Sequence, residues 1–248
     1  MIPKKIFYYW EGTRYPYINY CLKSIEKRCG VESHFITQGN VRDYIKGVDL
    51  ADNWANLRPI SQRIDVLRVA LLYKYGGCWM DADTVMLKDM NSTFENLQEA
   101  DIICMRWRRT GRILNGYFFA NQGSEFLRIC LDWINKQLRA APNQTHYPRH
   151  QGVWFGEHMV GQMHYENPKH MRFVDPEIFL PIQFPFQQNV WWQNSPIEPF
   201  FKTNTIAIGM NHSQYADNIR NMTMPLILRG KNVFSNIFKY SEQLGSII

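Results

Sequence analysis

Apolar residues recur at helical spacing through Ile64, Leu67, Leu71 and Tyr75, and at Gly76-Gly77 the pattern switches to a short continuous apolar run, Cys78-Trp79-Met80. This predicts a helix, a glycine-terminated end and a buried strand, in that order. Asp65 and Arg68 lie three residues apart, one turn from each other on a face beside the stripe, and Asp81-Ala82-Asp83 leaves the strand. Alternate residues of an extended segment project to one side. Both carboxylates therefore face one point at the C-terminal edge of a sheet, where open α/β folds place ligands.

The pattern elsewhere completes an α/β chain. A β-rich run opens it and ends in the large rings Tyr9 and Trp10; further strands are predicted at 102–107, 115–120 and 205–209. Ser124 caps a helix carrying Leu127, Leu131, Ile134 and Leu138 at helical period, with Pro142 just past its end. A last helix is predicted over 232–248, with Val233, Ile237, Tyr240 and Leu244 on one stripe and Phe234 and Phe238 beside it. Core packing is its default role and membrane contact the second.

At 248 residues, with no Pro/Gly/Ser-rich linker and no internal repeat, a single domain is expected. No apolar run approaches a membrane span and no charged leader precedes the first strand, so a cytoplasmic protein is expected, with contact at the inner face of the membrane as a second option. The five cysteines lack metal-ligand spacing; buried reduced thiols are expected rather than disulfides or zinc. In that compartment the sequons at Asn91, Asn143, Asn211 and Asn221 are chance matches. A net charge of +6 suits an anionic partner. The only dense basic cluster, Arg106, Arg108, Arg109 and Arg112, comes without a nucleic-acid fold signature, which turns the reading from nucleic acid toward a nucleotide-sugar, a lipid-diphosphate acceptor or an anionic membrane surface, with a plain solvated loop as the equal alternative.

Two carboxylates at one strand end repel each other, and a hard divalent cation relieves the repulsion. Mg²⁺ or Mn²⁺ is commonly held by one or two carboxylates together with ligand phosphates and water, so a phosphate- or diphosphate-bearing partner follows. A solvated turn is the bland alternative for Asp-x-Asp alone. The preceding buried strand, the glycine pair and the Asp/Arg helix favour the metal.

With these residues in place the chain resembles the family 32 glycosyltransferases, which are distantly related to bacterial glucosylating toxins and carry the pattern S-D-x-x-R, apolar residues, G-G-x-Y-x-D-x-D. Here Ile64 stands for the Ser and Trp79 for the Tyr, while Asp65, Arg68, Gly76, Gly77, Asp81 and Asp83 are kept. The opening from Ile2 to Gly12 is similar to the family's first strand, I-P-K-x-I-H-x-x-W-x-G, with Phe7 or Tyr8 at the place of the His. The resemblance implies a GT-A type, Rossmann-like mixed sheet flanked by helices, with a nucleotide-sugar half at about 1–120 and an acceptor-side half at about 121–248. It implies a UDP- or GDP-sugar donor, a glycan or lipid-linked acceptor and retention of anomeric configuration. Asp83 would hold the metal, Asp81 would bridge sugar, ribose or metal, Asp65 and Arg68 would bond the sugar hydroxyls, and Trp10, with Tyr9 beside it, the base. Asn115 is a candidate near the reaction centre, with a turn role before Gly116 as the alternative. His212, after the strand at 205–209, aligns with the family's late A-x-H motif and is a candidate for the metal shell or the donor diphosphate.

The segment from His150 to Trp154 occupies the place of the family's T-G-P motif but keeps only Gly152, so no role is transferred there. Glu157 and His158 are candidates for acceptor contact or plain helix surface, and Trp191-Trp192 for an acceptor platform. Two rival functions use the same residues. Asp81-Ala82-Asp83-Thr84-Val85 also resembles the D-x-D-x-T/V of aspartate-nucleophile phosphatases, although it lies a third of the way along the chain and no later acid pair accompanies it. A non-catalytic sugar-binding module is the other.

Overall fold

The structure is a computed structural model that describes every residue except 98–99, 109, 148–154, 183–186, 212–218 and 248. The strands are β1 (Lys5–Tyr9), β2 (Glu32–Ile36), β3 (Gly77–Met80), β4 (Thr84–Met86), β5 (Ile102–Arg106), β6 (Ile113–Ala120), β7 (Met171–Val174) and β8 (Ala207–Gly209). The first six helices are α1 (Pro16–Arg28), α2 (Val41–Ile45), α3 (Ile60–Tyr75), α4 (Asn91–Asn96), α5 (Glu125–Ala140) and α6 (Glu157–Glu166). The chain divides into two compact units.

The first unit comprises 1–10, 34–80 and 93–174. Its sheet runs β2-β1-β3-β6-β5-β7 and is mixed. β1 pairs parallel to β3 with Phe7 opposite Trp79, β3 antiparallel to β6 with Trp79 opposite Phe118, and β5 parallel to β7. The predicted helix-glycine-strand unit is α3 and β3. Helix α3 begins at Ile60, four residues before the first residue of the apolar stripe, and buries Val66, Val69, Ala70 and Leu72 as well as Leu67 and Leu71. It is covered on most sides, which is why its polar residues Asp65 and Arg68 lie inside the protein.

Gly76 and Gly77 do more than end the helix. Both have positive φ, 64° and 94°. A Cβ on Gly76 would lie 2.6 Å from the Gln122 amide nitrogen, and one on Gly77 would lie 2.7 Å from the Lys5 carbonyl oxygen. Only glycine lets the chain turn here and enter β3 against β1. Helix α5 is capped as predicted, the Ser124 hydroxyl accepting from the Leu127 amide at 3.2 Å. Strand β6 begins two residues before the predicted 115, because Ile113 and Leu114 are buried and paired with β5.

The second unit comprises 11–33, 81–92 and 175–248. It contains α1, the antiparallel ribbon β4-β8 and the helix Val233–Gln243. That helix stops short of the predicted end and Leu244 is 46% exposed; Phe234 and Phe238, placed beside the stripe by sequence, are buried with Val233 and Ile237. Trp191 is fully buried, and Trp192 stacks on Phe234 with ring centroids 5.6 Å apart. Trp191 is thus a core residue rather than a platform for an acceptor, because its ring has no accessible face.

All five cysteines are free and buried, as expected from their apolar settings. Burial pushes the thiols of Cys21, Cys78, Cys104 and Cys130 well up. No helix among the described residues is long and apolar enough to cross a membrane.

Candidate active site

In the first unit three of the predicted residues meet. Asp65, 8% exposed on α3, accepts from Arg68 Nη1 at 3.2 Å and from Asn115 Nδ2 at 2.9 Å, both through Oδ1. Arg68 is 4% exposed, and its guanidinium carbon lies 5.1 Å from the Trp79 ring centroid. Trp79 therefore gives the cation an aromatic face. Asn115 is half-buried on β6, close enough to bond a helix fifty residues earlier in the chain.

Two features of this cluster were invisible to sequence reasoning. Gly156, the residue that opens α6, lies against the Asp65 carboxylate so closely that a Cβ there would fall 2.4 Å from Oδ2. The carboxylate thus sits over the first turn of a helix, where the backbone dipole favours negative charge. Gln62, fully buried on α3, exchanges two hydrogen bonds with the backbone of Tyr147, its Nε2 donating to the carbonyl at 2.6 Å and its Oε1 accepting from the amide at 3.2 Å. That clamp fixes the start of the helix bearing Asp65 and Arg68. Neither contact has a local sequence signal, since Gly156 and Tyr147 are about ninety residues from their partners.

Trp10 follows β1 directly, half-buried, with its amide donating to the Ile36 carbonyl at 3.1 Å. It stands at the C-terminal end of the strand. Tyr9 is 7% exposed and belongs to the apolar core of the same unit. Phe7, one of the two residues aligned with the His of the family 32 pattern, is buried between His34 and Tyr75, with centroids 4.8 and 5.5 Å away. It fills the core.

The acidic pair belongs to the second unit. Asp81 and Asp83 are half-buried on the bend that precedes β4. Thr84 donates from its hydroxyl to the Asp81 carbonyl at 2.6 Å, and Met210 donates from its amide to the Asp83 carbonyl at 2.9 Å. The bend is held further by Ser24, whose hydroxyl accepts from the Met86 amide at 3.0 Å. Pairing of β4 with β8, Thr84 opposite Gly209, brings the chain up to Asn211 beside the acidic bend. Asn211 takes a positive φ of 50°, which Asn tolerates better than most residues. His212 and Ser213, like Arg109 and the segment from His150 to Trp154, lie outside the described residues.

Among the described residues no group of three or more His, Cys, Asp and Glu side chains is placed to hold a metal ion. The donor set offered by Asp81 and Asp83 is two carboxylates. It fits Mg²⁺ or Mn²⁺, which accept one or two carboxylates beside ligand phosphates and water.

The basic cluster is divided. Arg106, half-buried on β5, stacks on Phe173 with its guanidinium carbon 3.5 Å from the ring centroid and meets His164 Nε2 at 2.8 Å. Arg112 is exposed and pairs with Glu157 at 2.5 Å. Burial, and then the nearby Arg106 charge, hold His164 below the ordinary histidine range.

This arrangement of sheet and helices is the GT-A fold of the glycosyltransferases. The chain superimposes on the apo form of GlyE from Streptococcus pneumoniae TIGR4 with a TM-score of 0.51 at 11% identity, over 96% of this chain and 60% of that one. Mouse xyloside xylosyltransferase 1 in its apo form gives 0.50 at 11% identity, over 85% and 98%. The galactosyltransferase LgtC, in complex with donor and acceptor sugar analogs, gives 0.50 at 9% identity, over 98% and 96%. This chain spans about 60% of the length of GlyE. No curated protein matches it. The family described as Capsular polysaccharide synthesis protein matches residues 1–153, and the chain belongs to that family.

Proposed function

We propose that this protein is a metal-dependent glycosyltransferase of the family 32 type, moving a sugar from a UDP- or GDP-sugar to a hydroxyl of a glycan or lipid-linked glycan, with retention of configuration. The observation that carries the reading is the buried Asp65 carboxylate, oriented by Arg68 and Asn115. An ionised acid is costly to bury unless its oxygens are used, and two fixed donors on Oδ1 orient the carboxylate as polar recognition of a sugar requires. Membership in a capsular polysaccharide synthesis family supports polysaccharide assembly as the setting, and the GT-A fold favours sugar transfer over phosphate-ester hydrolysis.

In this reading Asp81 and Asp83 hold the divalent ion through hard oxygens, with His212 as a further candidate. When bound, the ion neutralises charge on the departing diphosphate. The rest falls to the chain's own residues. Asp65 and Arg68 hydrogen-bond the donor sugar's hydroxyls, Arg68 and Asn115 keep the Asp65 carboxylate in place, and the half-buried Trp10 takes the base face, with Tyr9 beside it in the chain. The bond from the anomeric carbon to the diphosphate breaks while the acceptor oxygen bonds to the same face, and the acceptor proton passes to the leaving phosphate oxygen. Residues 1–120 chiefly serve the donor and 121–248 chiefly the acceptor, in the cytoplasm, with the inner face of the membrane as a second setting.

The test is a panel of nucleotide-sugars with and without Mn²⁺, read by melting temperature and by slow donor hydrolysis, followed by anomeric analysis of the product by NMR. Stabilisation by one sugar nucleotide only with metal is expected. A generic phosphatase activity, carbohydrate binding indifferent to metal and nucleotide, or an inverted linkage would each remove part of the reading.

A further inference from the structure

The cavity beside the β5-β6 hairpin, about 920 Å³ in volume, is formed wholly within the first unit. It falls in the upper part of the range typical of small-molecule sites, about 300–1,000 Å³. One wall is a single face of α6, where His158, Gly161, Gln162 and Tyr165 recur at spacings of three and four. The opposite face of that helix, Met159, Val160 and Met163, is buried in the core. The facing wall supplies Arg106 and Arg112.

Three observations point to an occupant. Arg106 is half-buried, its Nε is buried without an acceptor, and among the described residues no carboxylate pairs with it, its partners being a histidine nitrogen and an aromatic ring. A partly desolvated guanidinium in that position attracts an anion, and a carboxylate matches its planar fork. Tyr165 is 87% exposed, a large ring left in water beside the charge. Gly161 stands mid-helix, where glycine costs about 1 kcal/mol against alanine, yet a Cβ there would meet nothing within 4 Å. The absence of a side chain keeps space open in the cavity rather than making room for a neighbouring part of the protein.

We propose that this cavity binds an acidic saccharide, its carboxylate against Arg106 while Arg112 keeps the lining carboxylate Glu157 neutralised, a sugar face on Tyr165 and its hydroxyls at His158 and Gln162. Resting on the transferase reading above, the inference adds that the acceptor is a uronic-acid-bearing glycan. Position supports the link. Gly156, which backs Asp65, is the residue before Glu157, and Ile113, which lines the cavity, lies two residues before Asn115 on β6.

Calorimetric titration of the full chain with tetragalacturonate, without donor or metal, tests it. Binding is expected, with the neutral methyl ester at least about tenfold weaker, one factor of ten being about 1.4 kcal/mol. Gly161→Phe, which fills the cavity, and Arg112→Gln, an exposed change that spares the fold, are each expected to weaken tetragalacturonate at least about tenfold at an unaltered melting temperature. No binding by the wild type, equal binding of the ester, undiminished binding in a folded variant, or full displacement by equimolar pyrophosphate would overturn it. Donor hydrolysis is scored separately on the wild type. Hydrolysis without tetragalacturonate binding sinks this inference alone; binding without hydrolysis sinks the transferase reading and leaves an acidic-glycan site.

Discussion

The side-chain amide of Asn115 donates to Asp65 Oδ1 across 2.9 Å, joining a strand to a helix that lies fifty residues earlier. The pairing makes Asn115 a positioning residue for a buried carboxylate.

Asn115→Leu removes that donor and keeps the bond from Arg68 to Oδ1. A stability loss of about 1–3 kcal/mol is expected, because a polar group already out of water loses a partner. The specificity constant for the donor should fall on the order of a hundredfold, since a displaced carboxylate misaligns the sugar. Urea denaturation and steady-state kinetics on the same preparation read both effects.

Arg68→Lys keeps the charge but not the planar group that reaches Asp65 and lies over Trp79. A loss of about 2 kcal/mol is expected from the weaker bond to a buried carboxylate. A variant as stable as the wild type in chemical denaturation would show that the guanidinium geometry is dispensable.

Asp83→Asn keeps the bond from the Met210 amide, which runs to the backbone carbonyl of residue 83. Mn²⁺-dependent stabilisation by the donor should disappear. Turnover should fall by more than about a hundredfold, beyond the usual effect of an outer-shell partner. Thermal shift with and without Mn²⁺, beside a turnover assay, checks both.

Gly77→Ala tests the entry to β3. Positive φ and a Cβ 2.7 Å from a backbone oxygen both oppose the substitution. A loss of about 1–3 kcal/mol is expected in equilibrium unfolding. Gly161→Ala, by contrast, should be neutral or stabilising.

His164 supplies a pH dependence. Its pKa is depressed in the folded protein, so the unfolded chain binds the proton more readily. The stability it contributes is present above the ordinary histidine pKa and is lost as pH falls through about 6.5 toward the lowered folded value. His164→Phe should flatten the melting profile between about pH 7 and 5 relative to wild type.

The helix-glycine-strand unit was legible because its signals are local: a run of apolar residues, two glycines and a switch of period within thirty residues. The Asp65–Arg68 pair was legible for the same reason, being one turn apart. What escaped depends on distant partners. Gly156 under Asp65, Gln62 on Tyr147 and the Arg106–His164 contact each join segments at least fifty-eight residues apart, and no periodicity encodes them. Trp191 misled because adjacent tryptophans look alike in sequence, while the fold buries one and leaves the other stacked on Phe234. Strand β6 started early because Ile113 and Leu114 gain a partner in β5 that lies across a basic loop.

The five sequestered sulfurs give the molecule an internal stopwatch. A maleimide or iodoacetamide finds every sulfur buried on the intact fold, so each alkylation event must wait for an opening that wets the core. Cys21 and Cys29 sit in one unit and Cys78, Cys104 and Cys130 in the other, so site-resolved mass spectrometry would time the two halves separately.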